Sequence, residues 1–402
     1  MPRVRHLFVL LALSLAAWAP AQTLTTAIGS NPPTLDPQVT FNGFSFHVTN
    51  QVYETLLRVT PEGDIVPGLA TEWSYPEPTT LRLTLREGVT FHDGSPLDAA
   101  AVVASFERIL DPATGAPGRF VLSSIQEARA VDASTVELVT ATPFAPLLAH
   151  LAHPVAAIVP VAQAETLGRE PVGTGPFRFV RWVEGSEVVL AANEAYWGGA
   201  PELDQVVVRI IPEVSTQIVE LRSGGVDMIF NLPADNFLTL EADAAIVTDT
   251  LPGWGSAHLG FNVANPKLAD LRVRQALAHA IDKSLITEEF FRGLATPGVA
   301  PIPGTVLFAA DLEEPYPYDV EGARALLAEA GAEGLRLRLD VFQNPDLESV
   351  AQVLQFSLAE IGVDLEIRVQ DFSAYTQAVE SDDVELFLTS WGTVTLDADY
   401  TL

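Results

Sequence analysis

From residue 335 the chain alternates: Leu335, Leu337, Leu339 and Val341 fall on one side of an extended segment, Arg336, Arg338 and Asp340 on the other. Successive strand side chains point to opposite faces, so this spacing predicts a strand with one face against a core. Leu347, Val350, Ala351, Leu354, Leu358 and Ile361 then recur at helical intervals, and Gly362 is suited to close that helix. Val363, Leu365, Ile367 and Val369 restore the alternation. The segment 335–369 therefore predicts a strand–helix–strand unit with parallel strands and a right-handed crossover. Charges on the second face of both strands (Arg336, Arg338, Asp340; Asp364, Glu366, Arg368) predict positions nearer a sheet edge than its centre. Another helix and strand are expected at 372–379 and 384–389.

Upstream, strands are predicted at 23–28, 81–85, 135–139, 177–182, 187–190 and 206–211. Helices are expected at 98–110 and from Asp270, an N-cap for a stripe of Val273, Leu277, Ala280 and Ile281. The apolar run 147–164 carries His150, His153, Pro154 and Pro160, which would leave polar groups unpaired in lipid. It is expected to be a buried helix followed by a strand. Hairpin-like strands dominate early and strand–helix alternation late, so the class is mixed α/β with a boundary near 255–259.

The N-terminus changes the picture. Arg3 and Arg5 precede an apolar run at 7–18 and the small residues Ala19, Pro20 and Ala21, the pattern of a signal peptide cleaved after Ala21. The run reaches only about 18 Å as a helix, too short for a permanent span. With no cysteine in the sequence, disulfides, thiolate metal sites, cysteine nucleophiles and a lipid-anchored cysteine are excluded. The expected mature protein is soluble and periplasmic, without membrane insertion. A formal charge of −30 disfavours nucleic acid and anionic membranes as partners.

Two loops have the composition of a ligand site. The first, from Ser30 through Asn31, Thr34, Phe41 and Asn42, follows the opening strand and is stiffened by prolines; a rigid surface connection is its plainer reading. The second starts at Trp391, beyond the strand expected at 384–389, and runs through Thr393, Thr395, Asp397, Asp399 and Tyr400. A large ring beside carboxylates suits a solute with a hydrocarbon part and an ammonium group. A core aromatic and a solvated turn are the alternatives, and Trp254 is a third candidate for which a hinge-packing ring is the slightly better reading. The sequence holds no serine elbow, zinc-protease helix, phosphate-binding loop or dinucleotide fingerprint. His92-Asp93-Gly94 and Gly173-Thr174-Gly175 read as turns. The scattered histidines read as satisfied interior groups, with no acidic neighbour in sequence to complete a metal shell around His150 and His153. No cofactor, metal or catalytic residue is expected.

Four blocks together resemble the family 5 extracellular solute-binding proteins, the peptide and nickel receptors of ABC importers: LREGVTFHDGSPLDAAAVVASFERI from Leu85, VGTGPFRFVRW from Val172, NEAYWGGAPELDQVVVRII from Asn193 and VRQALAHAIDKSLI from Val273. The resemblance implies a class II periplasmic-binding-protein fold with two lobes, a hinge and an inserted subdomain. On that pattern lobe I takes 22–43 and 169–258, the inserted subdomain 44–168 and lobe II 259–402. Members continue about a hundred residues further, so lobe II is expected to be incomplete. TSWGTVTLDADYTL from Thr389, QVLQFSLAEIGV from Gln352 and LAHPVAAIVP from Leu151 are similar to the glutathione-binding branch. The arginine with which dipeptide receptors hold a ligand carboxylate is replaced by Phe342, Gln343 and Asn344. The implied function is capture of short peptides or peptide-like solutes by a monomer that delivers them to ABC permease subunits. Asn31, Thr34, Phe41, Asn42, Trp254, Trp391, Asp397 and Asp399 are the expected ligand-binding residues. A nickel chelate or an oligosaccharide is the alternative cargo, and a periplasmic peptidase the alternative activity.

Overall fold

The computed structural model describes residues 22–400 apart from positions 252, 307, 382 and 396, so the expected signal peptide at 1–21 lies outside the described residues. Thr23–Ile28 sits inside a five-stranded sheet, between Met228–Ile229 and Gln205–Ile210, parallel to both. Glu187–Ala192 and Phe177–Val183 extend that sheet antiparallel. Ile28, Val188, Leu190, Val206 and Val208 share their core with Val48 and Val52 of the helix Gly43–Val52. Asn42 caps that helix, its side-chain oxygen accepting from the backbone N–H of Phe44 and Ser45.

A separate antiparallel sheet is built from Ala70–Glu77, Thr80–Leu85, Thr135–Thr140 and Ile125–Ala130. Ala99–Leu110, capped by Asp98, lays Val102, Phe106 and Ile109 into its core. The run 147–164 is buried as expected, but it contains no strand. It forms a short helix Leu147–His150 and single 3-10 turns at Pro154–Ala156 and Val161–Gln163. Prolines at 154 and 160 cannot donate to a ladder. Irregular backbone there is satisfied individually instead: Ile158 N–H donates to the Glu54 carbonyl and Val159 N–H to Ser105 Oγ.

The third sheet runs Gly255–Phe261, Leu386–Gly392, Arg336–Phe342, Asp364–Gln370. Its last two strands are parallel, with Leu337 opposite Leu365, and are joined by the helix Pro345–Glu360 as the periodicity predicts. Gly362 follows that helix at φ +80°, a conformation glycine takes without a Cβ clash. The edge expectation holds for Asp364–Gln370 and fails for Arg336–Phe342, which is an interior strand. Its polar face is covered by ion pairing: Asp340 is fully buried and accepts from Arg338, Arg368 and Gln370. Alternation of charge here marks a buried network rather than water, because each buried charge has a partner. No described helix is long and apolar enough to cross a membrane.

Candidate functional site

A cleft of about 480 Å³ opens where these bodies meet. Tyr53, Glu54, Arg58, His153 and Tyr196 line one side, and Trp254, Thr393, Val394 and Thr395 the other. The first wall depends on close backbone contact. A Cβ on Gly173 would lie 2.0 Å from the Val52 carbonyl oxygen, and one on Gly175 2.7 Å from that of Gln51. Only glycine lets the 173–175 turn press against 51–53, and the turn thereby sets Thr174 against Glu54.

Glu54 is nearly buried, so its carboxylate needs donors. Thr174 Oγ1 and Trp197 Nε1 each donate to Oε2 at 2.8 Å, and Tyr196 Oη donates to Oε1 at 2.7 Å. Burial, then the adjacent Glu54 charge, holds the Tyr196 phenol protonated well beyond its ordinary range. The three donors make a rigid wall and occupy the carboxylate that a nucleophilic or general-base role would require.

His153 lines the cleft, and His150 precedes it at the end of the short helix Leu147–His150. His153 stacks on Phe41 with ring centroids 5.5 Å apart, and its Nδ1 accepts from Val155 N–H. Burial, aided by neighbouring His150, brings its pKa down to about 4, so the ring is neutral near pH 7. His150 is buried, with Nδ1 against the Val121 carbonyl and Nε2 3.0 Å from Asp399 Oδ2. A carbonyl only accepts, so Nδ1 donates to it. The acidic partner for the histidine pair thus comes from 249 residues away, where sequence neighbours offered none. Among the described residues, no group of three or more acidic or histidine side chains is placed to hold a metal ion. Asp397 is buried beside Asp399, whose N–H it accepts. Burial pushes its carboxyl above the ordinary value despite that hydrogen bond.

The structure divides the residues expected from sequence. Trp254 lines the cleft and Phe41 adjoins it through His153, whereas Asp397 and Asp399 lie outside the lining, just beyond Thr395, with Asp399 against His150. Trp391 belongs to the strand Leu386–Gly392, opposite Ser256, rather than to a loop beyond it; it is exposed and does not line the cleft. Asn31 and Thr34 are also outside the lining. Asn31 Oδ1 accepts from Trp182 Nε1 and Gly185 N–H, and Thr34 Oγ1 accepts from Asp36 N–H. Asn42 is used as the helix cap. The loop is fastened further by Asp36, whose carboxylate pairs with Arg108 at 2.5 Å.

Glu54, Arg58, His150, His153 and Tyr196 were not among the expected ligand residues. For two of them a signal was available: the Thr174 and Tyr196-Trp197 blocks stand out as motifs in the sequence, and both converge on Glu54. Arg58 and His150 carry no local signal.

The profile of the bacterial extracellular solute-binding proteins, family 5, matches residues 64–402. The glutathione-binding protein GsiB of Pectobacterium atrosepticum is 31% identical over 398 residues, covering 96% of this chain and 77% of its own length. The ABC transporter-associated periplasmic binding protein DppA from Helicobacter pylori, in complex with the peptide STSA, superposes with a TM-score of 0.78 at 30% identity. That match covers 94% of this chain and 80% of DppA. NikA from Brucella suis, in complex with Fe(III)-EDTA, shares the two-lobed fold with a TM-score of 0.85 at 24% identity, covering 92% and 80% of the two chains.

Proposed function

Because this chain belongs to the family 5 bacterial extracellular solute-binding proteins, the substrate-binding components of ABC importers, we propose that its cleft captures a short peptide or peptide-like solute, glutathione among the candidates. The observation that carries this reading is the cleft itself. Its volume of about 480 Å³ suits a small solute, and it joins an aromatic wall to Thr393, Val394 and Thr395, the residues just ahead of Asp397 and Asp399. The named relatives supply the cargo class: one binds glutathione and another holds a four-residue peptide.

In this reading residues 22–43 and 169–258 form lobe I, 44–168 the inserted subdomain and 259–402 lobe II. Trp254 and Phe41 pack on the body of the solute. Asp397, desolvated and without a cationic partner among the described residues, receives its ammonium group. Asn31, Thr34 and Asn42 act one step back by holding the first loop in place, and Trp391 presents its ring at the rim. Closure of the lobes buries the solute and presents a joined surface to the permease. The protein works as an exported, periplasmic monomer with its signal peptide removed, and it binds its solute without turnover.

Calorimetric titration with glutathione, di- and tripeptides, a nickel chelate and an oligosaccharide tests the reading. Saturable binding of glutathione or a peptide, weakened by Trp254→Ala, is expected. Binding of the chelate or the sugar alone would replace the cargo class, and cleavage of the peptides would replace the activity.

A further inference from the structure

The charged groups of the cleft differ in what they already hold. Glu54 has its three donors, and Asp399 has His150. Arg58 is the one cation at neutral pH among the lining residues, and it is exposed. Its Nε donates to the Pro67 carbonyl at 3.3 Å, which orients the guanidinium and leaves both terminal nitrogens unused. No described carboxylate lies within ion-pair distance of it. In a chain of formal charge −30 that is unusual, because most arginines here have found an acidic partner: Arg82, Arg108, Arg129, Arg209 and Arg272 are examples.

We propose that Arg58 is a specificity-determining residue that holds an acidic group of the solute, so that the cleft selects for a carboxylate. The inference rests on the reading of this cleft as a solute site. A guanidinium with two adjacent donors matches a carboxylate as a fork, and Nε anchored on a backbone carbonyl reduces the side-chain freedom lost on binding. Solute binding also removes water from the pair, which strengthens the attraction over that of an exposed ion pair. The carboxylate of Asp399 already lies 3.0 Å from His150, whereas Arg58 has no acidic partner among the described residues. A solute that supplies an anion therefore meets an unpaired cation at Arg58.

The test compares glutathione with its glycine monoethyl ester, and trialanine with its C-terminal amide and its N-acetyl form, by calorimetry on the purified protein. The free acids are expected to bind about tenfold tighter than the blocked forms, one charge-assisted fork being of that size. N-acetylation, which removes the ammonium group assigned to Asp397, is expected to cost a comparable factor and to do so equally in the wild type and in Arg58→Ala. Arg58→Ala should weaken the acids to the level of the ester and amide, leave those two blocked forms unchanged and leave the melting temperature unchanged, since the side chain is exposed. Arg58→Lys should restore part of the preference, because it keeps the charge without the fork. Acids and blocked forms bound alike by the wild type, or weakened alike by Arg58→Ala, would overturn the assignment and leave the peptide reading standing. A wild type that binds neither glutathione nor trialanine would overturn both.

Discussion

The two loops that stood out as ligand candidates are put to opposite uses. The 30–42 loop spends its polar groups on the protein. Asp36 pairs with Arg108, Gln38 donates to Ser105 and Ala157 and accepts from Arg108, and Asn31 holds Trp182. It is a strut between the opening strand and the helix Ala99–Leu110. The 393–399 stretch directs Thr393, Val394 and Thr395 into the cleft, and its Asp399 reaches His150. Both loops are short, polar and follow a strand. What separates them is position: the polar groups of the first loop are taken up by neighbouring strands and helices, while Thr393, Val394 and Thr395 of the second line the cleft.

The strongest way to break this contrast is to disturb the strut. Asp36→Ala strands a buried guanidinium and is expected to cost about 3–5 kcal/mol in urea unfolding. Its solute affinity, measured under conditions where it remains folded, should hold.

A pH titration probes the boundary between the loops. His153 titrates near 4 in the folded protein and near 6.5 when unfolded, so the unfolded chain binds more protons in that window. Stability from this group is present above 6.5 and is lost as pH falls toward 4, by roughly 2–3 kcal/mol after allowing for partial exposure. His153→Phe should flatten that part of the acid limb in unfolding experiments at pH 7 and 5. An unaltered limb would assign the loss to other groups.

Asp397→Asn addresses the second loop directly. It should lower affinity for an amine-bearing peptide about tenfold, or about 1.4 kcal/mol, with little change in melting temperature. A melting temperature that falls while affinity stays would show that this loop, too, serves the fold. Asn42→Ala is the smallest change: loss of the cap should cost about 1 kcal/mol of stability and leave affinity intact.

The strand–helix–strand unit at 336–370 was legible because its signal is local; each apolar position reports its own face within a few residues. The charged face of Arg336–Phe342 misled because its partners, Arg368 and Asp383, stand on other elements. At 147–164 composition told that the chain is buried, while the prolines that forbid a ladder decided its shape. Trp391-Gly392 looked like the opening of a turn, yet the pairing of Leu386–Gly392 with Gly255–Phe261 carries the strand through both. Of the site, Trp254 and the aspartates were readable as residue types suited to a solute. His150 and Arg58 were not, since the meaning of each depends on what lies opposite it across the folded chain.

Trp254 borders the cleft, and its carbonyl accepts from Thr393 N–H at 3.0 Å, so the indole is tethered to the stretch that carries the acidic residues. Indole emission responds to the polarity around the ring. The molecule therefore contains its own optical reporter: occupancy by an unlabelled solute can be followed as a change in the colour of tryptophan fluorescence, with Trp254→Phe separating its share from that of the other tryptophans.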